Sequence, residues 1–418
     1  MTWATLARFR KQSGQISRNV RLFLWTVFLS NVGASGIFAL LYNLYLVELG
    51  HKEDFIGLLS FIQMLAIAVG AIPSGSLADR FGCSRVMAAG TAIMGLGTLG
   101  QCLLVQPVLI GLLNVVTGLG FALRIVPYTP FLVNNTTRTE RTLVFSANSA
   151  AISIAGTVGG LIGGQLPALF AQLFALPGPA SVPAYRASLL IGAALALAAT
   201  VPMALASECT DFPTSVPTQP VNEAVTANSA KRSQRDVRIF TTVTILFALS
   251  AASIMPFINV YFSQSLGLSA AAISVIFSTS SILAAVATIG ASDIANRIGK
   301  VRTMVAIRLV GAPLLALLAI KANVWLATAA ILVRNVTEMA SWPLDGAFLA
   351  EVIPLRRQAR TAAYRSMAWN ATWALTSFVA GQVIVRVGYR PLFVVAATVL
   401  ATAAAVYHFG FSSYNQIF

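Results

Sequence analysis

Twelve apolar runs, each long enough to cross a bilayer, constrain this chain more than any other feature of its sequence. An α-helix needs ~20 mostly apolar residues to cross the hydrocarbon core, and the runs are separated by short breaks that are polar or contain glycine and proline. With only 10% charged residues, the chain lacks the charges that cover the surface of a water-soluble protein. The sequence therefore predicts an all-α membrane protein with transmembrane helices at residues 22 to 47, 55 to 77, 86 to 106, 108 to 133, 143 to 170, 185 to 207, 238 to 263, 269 to 294, 302 to 320, 324 to 350, 361 to 385 and 389 to 411.

Lysine and arginine are distributed unevenly over the predicted loops. With the N-terminus placed in the cytoplasm, most of the 28 basic residues fall in cytoplasmic segments. This bias follows the positive-inside rule and predicts a multi-pass protein of the cytoplasmic membrane with both termini inside. The net charge of +15 then reflects orientation and contact with anionic lipid rather than nucleic-acid binding. The predicted outer segments hold only Lys52, Arg186, Lys321, Arg386 and Arg390.

The chain divides into two halves that echo each other. A polar stretch rich in proline, serine and threonine follows the sixth helix and predicts a flexible cytoplasmic linker at residues 208 to 237, between bundles at 1 to 207 and 238 to 418. Asn43-x-Tyr-x-x-x-Leu-Gly in the first half corresponds to Asn259-x-Tyr-x-x-x-x-Leu-Gly in the second. Later in each half, Ala-Asp-Arg-Phe-Gly82 corresponds to Ala-Asn-Arg-Ile-Gly299. Two related six-helix halves are typical of parallel-repeat transporters, whose substrate site lies between the halves.

The stretch from Gly75 to Arg85 is a short charged turn between the second and third predicted helices. It reads Gly-Ser-Leu-Ala-Asp-Arg-Phe-Gly-Cys-Ser-Arg. In an ordinary turn the arginines would anchor to headgroups and Gly82 would end a helix, but such a turn has no need of the acidic Asp79. The spacing Gly-x-Leu-Ala-Asp-Arg-x-Gly resembles the signature loop between helices 2 and 3 of the major facilitator superfamily, whose members are secondary transporters.

The resemblance implies a fold and a moving part. The fold consists of twelve helices in two pseudo-symmetric six-helix bundles that rock around a central site. The aspartate of the signature loop faces a helix N-terminus when the cytoplasmic side is closed, and a carboxylate there gains from the helix dipole. Carried over to this chain, the resemblance predicts a conformational latch made of Gly75, Asp79, Arg80, Gly82 and Arg85.

Predicted helix 5 contains a glycine-rich run from Gly156 to Pro167. It resembles the superfamily's motif of exporters that exchange substrate for protons, except that Gly160 occupies the position of the motif's proline. The same run has a simpler explanation, since small residues allow close helix packing in any membrane bundle.

Several charged residues lie inside predicted helices, where each charge costs ~2.5 kcal/mol or more. Arg334 and Glu338 are four residues apart on helix 10, so they lie on one helix face and can pair. Glu338 is the predicted proton-coupling carboxylate, with Arg334 as its partner, although the two could also form a purely structural pair. Arg124 on helix 4 has no acidic residue on its own helix, so it needs either a substrate anion or a carboxylate such as Asp345 or Glu338. Arg308, near the start of helix 9, is predicted to extend towards the cytoplasmic face as a structural residue.

Aromatic and amide side chains could line a central cavity. Many would instead be interfacial belt residues, but a lone amide in lipid is disfavoured, which favours an interior place for Asn43 and Asn370. A cavity with many aromatics and few charges suits amphiphilic or weakly charged substrates. The predicted substrate-binding residues are Asn43, Arg124, Tyr128, Asn259, Trp342, Trp369, Asn370 and Trp373.

These features together favour proton-coupled export of a small amphiphilic organic solute by alternating access, in a monomer that contacts membrane lipids. Two alternatives remain open: uptake of an organic anion bound by Arg124, and translocation of a lipid or lysolipid. The sequence contains no carboxylate pair, histidine cluster, serine elbow or phosphate loop, so it does not favour an enzyme. With two histidines far apart, it predicts no metal site and no cofactor.

Overall fold

The computed structural model describes residues 17–137, 140–207, 227–320 and 323–411. Within these ranges the secondary structure is entirely helical. The predicted linker at 208 to 237 lies partly outside the described residues, and helical structure resumes at Ala227. Twelve helical segments follow the twelve predicted ones: α1 Arg18–Glu48, α2 Glu53–Phe81, α3 Cys83–Leu103, α4 Pro107–Asn134, α5 Arg141–Leu173, α6 Val182–Ala204, α7 Gln234–Ser265, α8 Ala270–Ile298, α9 Lys300–Ile320, α10 Val324–Val352, α11 Leu355–Val387 and α12 Arg390–Phe411.

Ten of these segments, among the described residues, are long and apolar enough to cross a membrane. The other two are α10 and α11, which carry charged residues along their length: α10 contains Arg334, Glu338 and Asp345, and α11 contains Arg365. The all-helical membrane fold predicted from the sequence is therefore confirmed. Both of these helices bring charged side chains into the protein.

The first helix of each half departs from regular α-helix. In α1 the backbone is π-helical at Asn31–Phe38. In α7 the regular α-helix ends at Ala252. The rest of the segment contains a 3-10 turn at Met255–Phe257 and a π-helical turn at Tyr261–Ser265. Such interruptions leave backbone carbonyls available to side chains from other helices.

The repeated glycines end helices in the same way in both halves. Gly82 follows α2 with φ +91°, and Gly299 follows α8 with φ +92°. Gly50 and Gly267 also have positive φ values, of +90° and +68°. Side chains other than hydrogen are strained in this region, so the repeat places glycine where the turn geometry requires it.

The chain packs as two compact units that do not follow the sequence halves. The first comprises the described parts of Met1–Ala39, Ala66–Gly163 and Arg186–Pro220. The second comprises the described parts of Leu40–Leu65, Gly164–Tyr185 and Val221–Phe418. The second unit therefore contains the end of α1 and the start of α2 together with the helices of the second half. The division into six-helix bundles at 1 to 207 and 238 to 418 stays a prediction from the repeat.

In the first unit, the glycine run of α5 packs closely against α1. A Cβ placed on Gly159 would collide with the carbonyl oxygen of Val32, and one placed on Gly36 would lie 2.5 Å from the Cα of Gly159. These backbones touch because neither position carries a side chain. The core of the second unit contains a cluster of aromatic rings from α7, α10 and α12, with Phe240 and Phe411 at a centroid distance of 4.7 Å.

Candidate functional site

A cavity of about 290 Å³ lies within the second unit, between α7, α9, α10 and α11. Its walls combine aromatic, hydroxyl and charged side chains. Within the described ranges no group of three or more His, Cys, Asp or Glu side chains is arranged to hold a metal ion. The lining residues are Thr244, Phe247, Arg308, Ser341, Trp342, Asp345, Gly346, Ala362, Arg365, Ser366 and Trp369.

Asp345 lies between two arginines at this cavity. Its Oδ2 accepts a hydrogen bond from Nη2 of Arg365, and its Oδ1 lies 3.8 Å from Nη2 of Arg308. Nε of Arg365 donates to Oγ1 of Thr244 at 2.9 Å, so α7, α9, α10 and α11 meet through this cluster. Hydrogen bonds between charged groups are about twice as strong as neutral ones, and these position the charges at the cavity wall.

Arg308 is buried, with only 5% of its surface exposed. Its guanidinium lies 4.6 Å from the ring centroid of Tyr407 and 5.5 Å from that of Phe247. Its Nε and Nη1 have no hydrogen-bond partner in the part of the chain that the structure describes. The predicted structural arginine near a membrane face is therefore a buried, cavity-lining cation whose donors are only partly used.

Three of the predicted substrate-binding residues come together beside this cluster. The rings of Trp342 and Trp369 are 5.3 Å apart in an edge-to-face arrangement, and Trp369 lies 5.6 Å from Trp373. Trp342 is 48% exposed, while Nε1 of Trp373 donates to Oγ of Ser60 at 3.3 Å. Asn370 is half-buried on the same helix as Trp369. The tryptophans thus form one continuous aromatic surface that reaches the cavity.

Arg334 and Glu338 form the predicted pair on α10. Nη1 of Arg334 lies 2.9 Å from Oε2 of Glu338, and the two side chains are 3% and 11% exposed. Glu338 precedes Asp345 by two helical turns, which places both carboxylates on the same side of α10. The geometry fits the coupling role and the purely structural pair equally, so both interpretations stay open.

Arg124 lies in the first unit, and its Nη1 donates to Oγ of Ser30 at 2.6 Å. Its guanidinium also lies 5.5 Å from the ring centroid of Phe121. The carboxylates considered as its partners are engaged elsewhere, Asp345 with two arginines and Glu338 with Arg334. Tyr128, on the same segment α4, packs partly buried against the core of the first unit.

Asn43 and Asn259 occupy equivalent positions in the repeat, and each bonds to the backbone of the other's helix. Nδ2 of Asn43 donates to the carbonyl oxygen of Pro256 at 2.6 Å. Nδ2 of Asn259 donates to the carbonyl oxygen of Leu40 at 3.0 Å. Each acceptor lies three residues before the other asparagine, so the two bonds are related by the repeat. We name this pair of bonds the amide clasp.

Residues of the predicted latch lie at the end of α2 and the start of α3. Asp79, Arg80 and Arg85 are exposed, and the guanidinium of Arg80 lies 5.2 Å from the ring centroid of Phe81. A Cβ on Gly75 would meet no atom within 4 Å, whereas Gly82 has the positive φ described above. The latch function of these residues stays a prediction.

Sequence reasoning did not select Arg308, Arg365, Thr244 and Phe247 as site residues. In the predicted helix at 361 to 385, Arg365 lies about one turn from the start, so it was counted with the preceding cytoplasmic segment. The feature that could have identified them is the distance of the two arginines from the starts of their helices. Arg308 lies eight residues after the start of α9, and Arg365 lies ten residues after the start of α11. A charge two turns or more inside a membrane helix faces protein or water rather than lipid.

Comparison with known proteins agrees with this architecture. Solved structures with the same fold include a bacterial homolog of the human lysosomal transporter Spinster (TM-score 0.75, 13% identity, covering 94% of this chain and 97% of that chain). They also include a D-xylose-proton symporter (TM-score 0.69, 14% identity, 93% and 96% covered) and the nucleoside transporter NupG (TM-score 0.66, 16% identity, 94% and 98% covered). At these identities the likeness concerns the fold alone.

No curated protein matches the chain at a significant level. The sequence model of the Major Facilitator Superfamily, in contrast, matches residues 23–238 and 240–412. These two stretches include all twelve helical segments except the first residues of α1 and Ile239 within α7. The chain is therefore a member of the major facilitator superfamily of secondary transporters.

Proposed function

We propose that the protein moves a small amphiphilic organic solute across the cytoplasmic membrane, and that the cavity of the second unit is part of the binding site. The observation that carries this proposal is the meeting of an aromatic surface with a charged cluster. Trp342, Trp369 and Phe247 offer flat apolar walls, while Arg308, Asp345 and Arg365 offer groups that orient a polar end. Sites for small molecules are mostly apolar with a few placed polar groups.

Alternating access requires contacts between the repeated halves to form and break. The amide clasp is a suitable contact, because it joins the first helix of one half to the first helix of the other. Each of its bonds is neutral and contributes about 1 kcal/mol, so the clasp would bias one conformation without locking it. Opening of the clasp would separate Leu40–Leu65 from the second-half helices.

We assign proton coupling to Glu338 and export as the direction of transport. Protonation of Glu338 would cancel its attraction to Arg334, which is the kind of local charge change that can drive a conformational switch. The glycine run of α5, with its resemblance to the exporter motif, supports export. In this scheme the solute and the proton move in opposite directions.

The test uses purified full-length protein in proteoliposomes and three naphthalene probes of matched size. These are naphthalene-1-sulfonate, naphthalene-1-sulfonamide and (1-naphthylmethyl)trimethylammonium, which are a permanent anion, a neutral molecule and a permanent cation. Probe flux above that of protein-free liposomes supports the transport function. A dependence of accumulation on an imposed pH gradient supports proton coupling, and its absence for every transported probe contradicts it.

The variant Glu338→Gln separates the two interpretations of the Arg334 pair. It mimics the protonated carboxyl, so we expect it to lose gradient-driven accumulation while probe exchange remains measurable. A matched control is Glu351→Gln on the same helix, where the side chain is 37% exposed and paired with Lys300. Full gradient-driven accumulation by Glu338→Gln would remove the coupling role.

A second candidate is uptake of an organic anion. The sequence placed such an anion on Arg124, whereas the charged cluster of the second unit provides a specific reason to consider anions there. Two guanidiniums and only one carboxylate line that cavity. In the same proteoliposomes, uptake predicts that naphthalene-1-sulfonate accumulates with protons moving in the same direction.

A further inference from the structure

The cavity of the second unit has an unbalanced charge. Arg308 and Arg365 contribute two positive charges and Asp345 contributes one negative charge, while the other lining residues are neutral. The nearby Arg334 and Glu338 compensate each other as a pair. The cluster at the cavity wall therefore carries one positive charge without a partner.

The unbalanced positive charge is best assigned to Arg308, because this side chain has hydrogen-bond donors that are not used. Nε and Nη1 of Arg308 are buried and have no acceptor among the described residues. Nη2 is 3.8 Å from Asp345, which is too long for a direct hydrogen bond. A buried charged group left unsatisfied is costly, so such a group in a native protein calls for a partner.

The aromatic rings around Arg308 hold its guanidinium but do not neutralise it. Tyr407 and Phe247 offer ring faces at 4.6 and 5.5 Å, and a cation-π contact leaves the net charge of the guanidinium unchanged. Arg365 is 19% exposed at its side chain, so part of its guanidinium remains accessible. The two arginines together offer the planar donors that oxyanions prefer.

We propose that the solute carries a single negative charge on an oxyanion group such as a carboxylate or sulfonate, attached to a flat aromatic body. The oxyanion binds Arg308 and Arg365, and the aromatic body contacts Trp342 and Trp369. This inference rests on the proposed binding in this cavity and holds for either direction of transport. One added negative charge balances the cluster, which is why a monoanion fits better than a neutral molecule or a cation.

Asp345 competes with the solute for the same guanidiniums. Its carboxylate occupies Arg365 and repels an incoming anion, so its charge sets the affinity of the site. Removing that charge without changing the size of the side chain should therefore strengthen anion binding. A gain of this kind cannot result from misfolding, which only weakens binding.

The test measures binding of the three naphthalene probes to purified full-length protein by isothermal titration calorimetry. We expect naphthalene-1-sulfonate to bind at least about tenfold more tightly than the sulfonamide, and the quaternary ammonium to bind least, since charged hydrogen bonds are the strong ones. Arg308→Gln should weaken sulfonate binding about tenfold or more, and Asp345→Asn should strengthen it severalfold. Lys300→Gln is the matched control, because it removes one positive charge from the same unit at a partly exposed position.

Three results would overturn the anion assignment: equal or tighter binding of the sulfonamide or the ammonium probe, weaker sulfonate binding by Asp345→Asn, or no sulfonate binding at all. Failure of this inference is distinguishable from failure of the proposed function. If the neutral or cationic probe is transported in proteoliposomes while the sulfonate does not bind, the transport function stands and the anion assignment falls. If none of the three is transported or bound, both fall.

Discussion

The amide clasp offers the sharpest prediction about conformation. Asn43 and Asn259 each donate one hydrogen bond, at 2.6 and 3.0 Å, to a backbone carbonyl of the other repeat. The Leu40 carbonyl lies within an α-helix, so it keeps its helical backbone partner when the asparagine is removed. The loss of that bond is then about 1 kcal/mol rather than the larger cost of an unsatisfied carbonyl, while the Pro256 carbonyl lies in a 3-10 turn, so loss of the Asn43 bond costs at least as much. A loss of about 1 kcal/mol changes the ratio of the closed to the open conformation about fivefold. Loss of both bonds changes this ratio about thirtyfold if the bonds act independently.

The assay measures the distance between two spin labels in the second unit. Lys52→Cys and Arg390→Cys, in a variant without other cysteines, place labels next to Glu53 and Tyr389, which are joined by a hydrogen bond of 2.9 Å. A closed clasp gives a short distance, and separation of residues 40–65 from the second-half helices gives a longer one. We expect Asn43→Ala and Asn259→Ala each to raise the long-distance population, and the double variant to raise it further.

Asn31→Ala is the matched control for these variants. Its amide also lies on α1 and donates to a backbone carbonyl, but that carbonyl belongs to Val27 of the same helix at 2.7 Å. Its removal should therefore leave the distance distribution unchanged. If the double variant Asn43→Ala, Asn259→Ala gave the same distribution as Asn31→Ala, the clasp would have no part in conformational change.

Two further predictions concern stability, measured by thermal unfolding in detergent. Gly82→Ala should lower the free energy of unfolding by about 1 to 2 kcal/mol, because Gly82 has φ +91°. Gly75→Ala is the control and should leave the free energy of unfolding unchanged, because the new methyl group has open space around it. Equal effects of the two substitutions would refute the argument. Tyr389→Phe should cost about 1.5 to 3 kcal/mol through its lost bond to Glu53. Burial and the charge of Glu53 raise the pKa of the Tyr389 phenol, so it remains a donor throughout the physiological range. Adding Glu53→Gln to Tyr389→Phe should lower the free energy of unfolding little further, because the hydrogen bond is already lost. If the losses of the two single variants added fully in the double variant, the two residues would not act as a pair.

The sequence by itself determined the helical architecture. A bilayer requires long apolar helices whose backbone groups form hydrogen bonds within the segment. The hydropathy pattern of the sequence therefore shows directly where such helices lie. The starts of α4 at Pro107 and of α10 after Asn323 were predictable, because proline and asparagine favour helix starts. The side chain of Asn323 accepts hydrogen bonds from the first turn of α10. The glycines at 82 and 299 were likewise predictable, because local backbone conformation depends on the residue itself.

Only the tertiary structure decided which side chains meet. Asn43 bonds to a carbonyl 213 residues away, and no sequence pattern distinguishes this contact from one with substrate. Arg365 was predicted near the start of its helix and was counted with the cytoplasmic charges, yet the helix begins at Leu355 and its guanidinium bonds to Asp345. Trp342, Trp369 and Trp373 were predictable as a group but their arrangement beside Arg308 was not. The physical reason is that hydropathy sets the length of a membrane helix, whereas its rotation and depth are set by close packing against its neighbours.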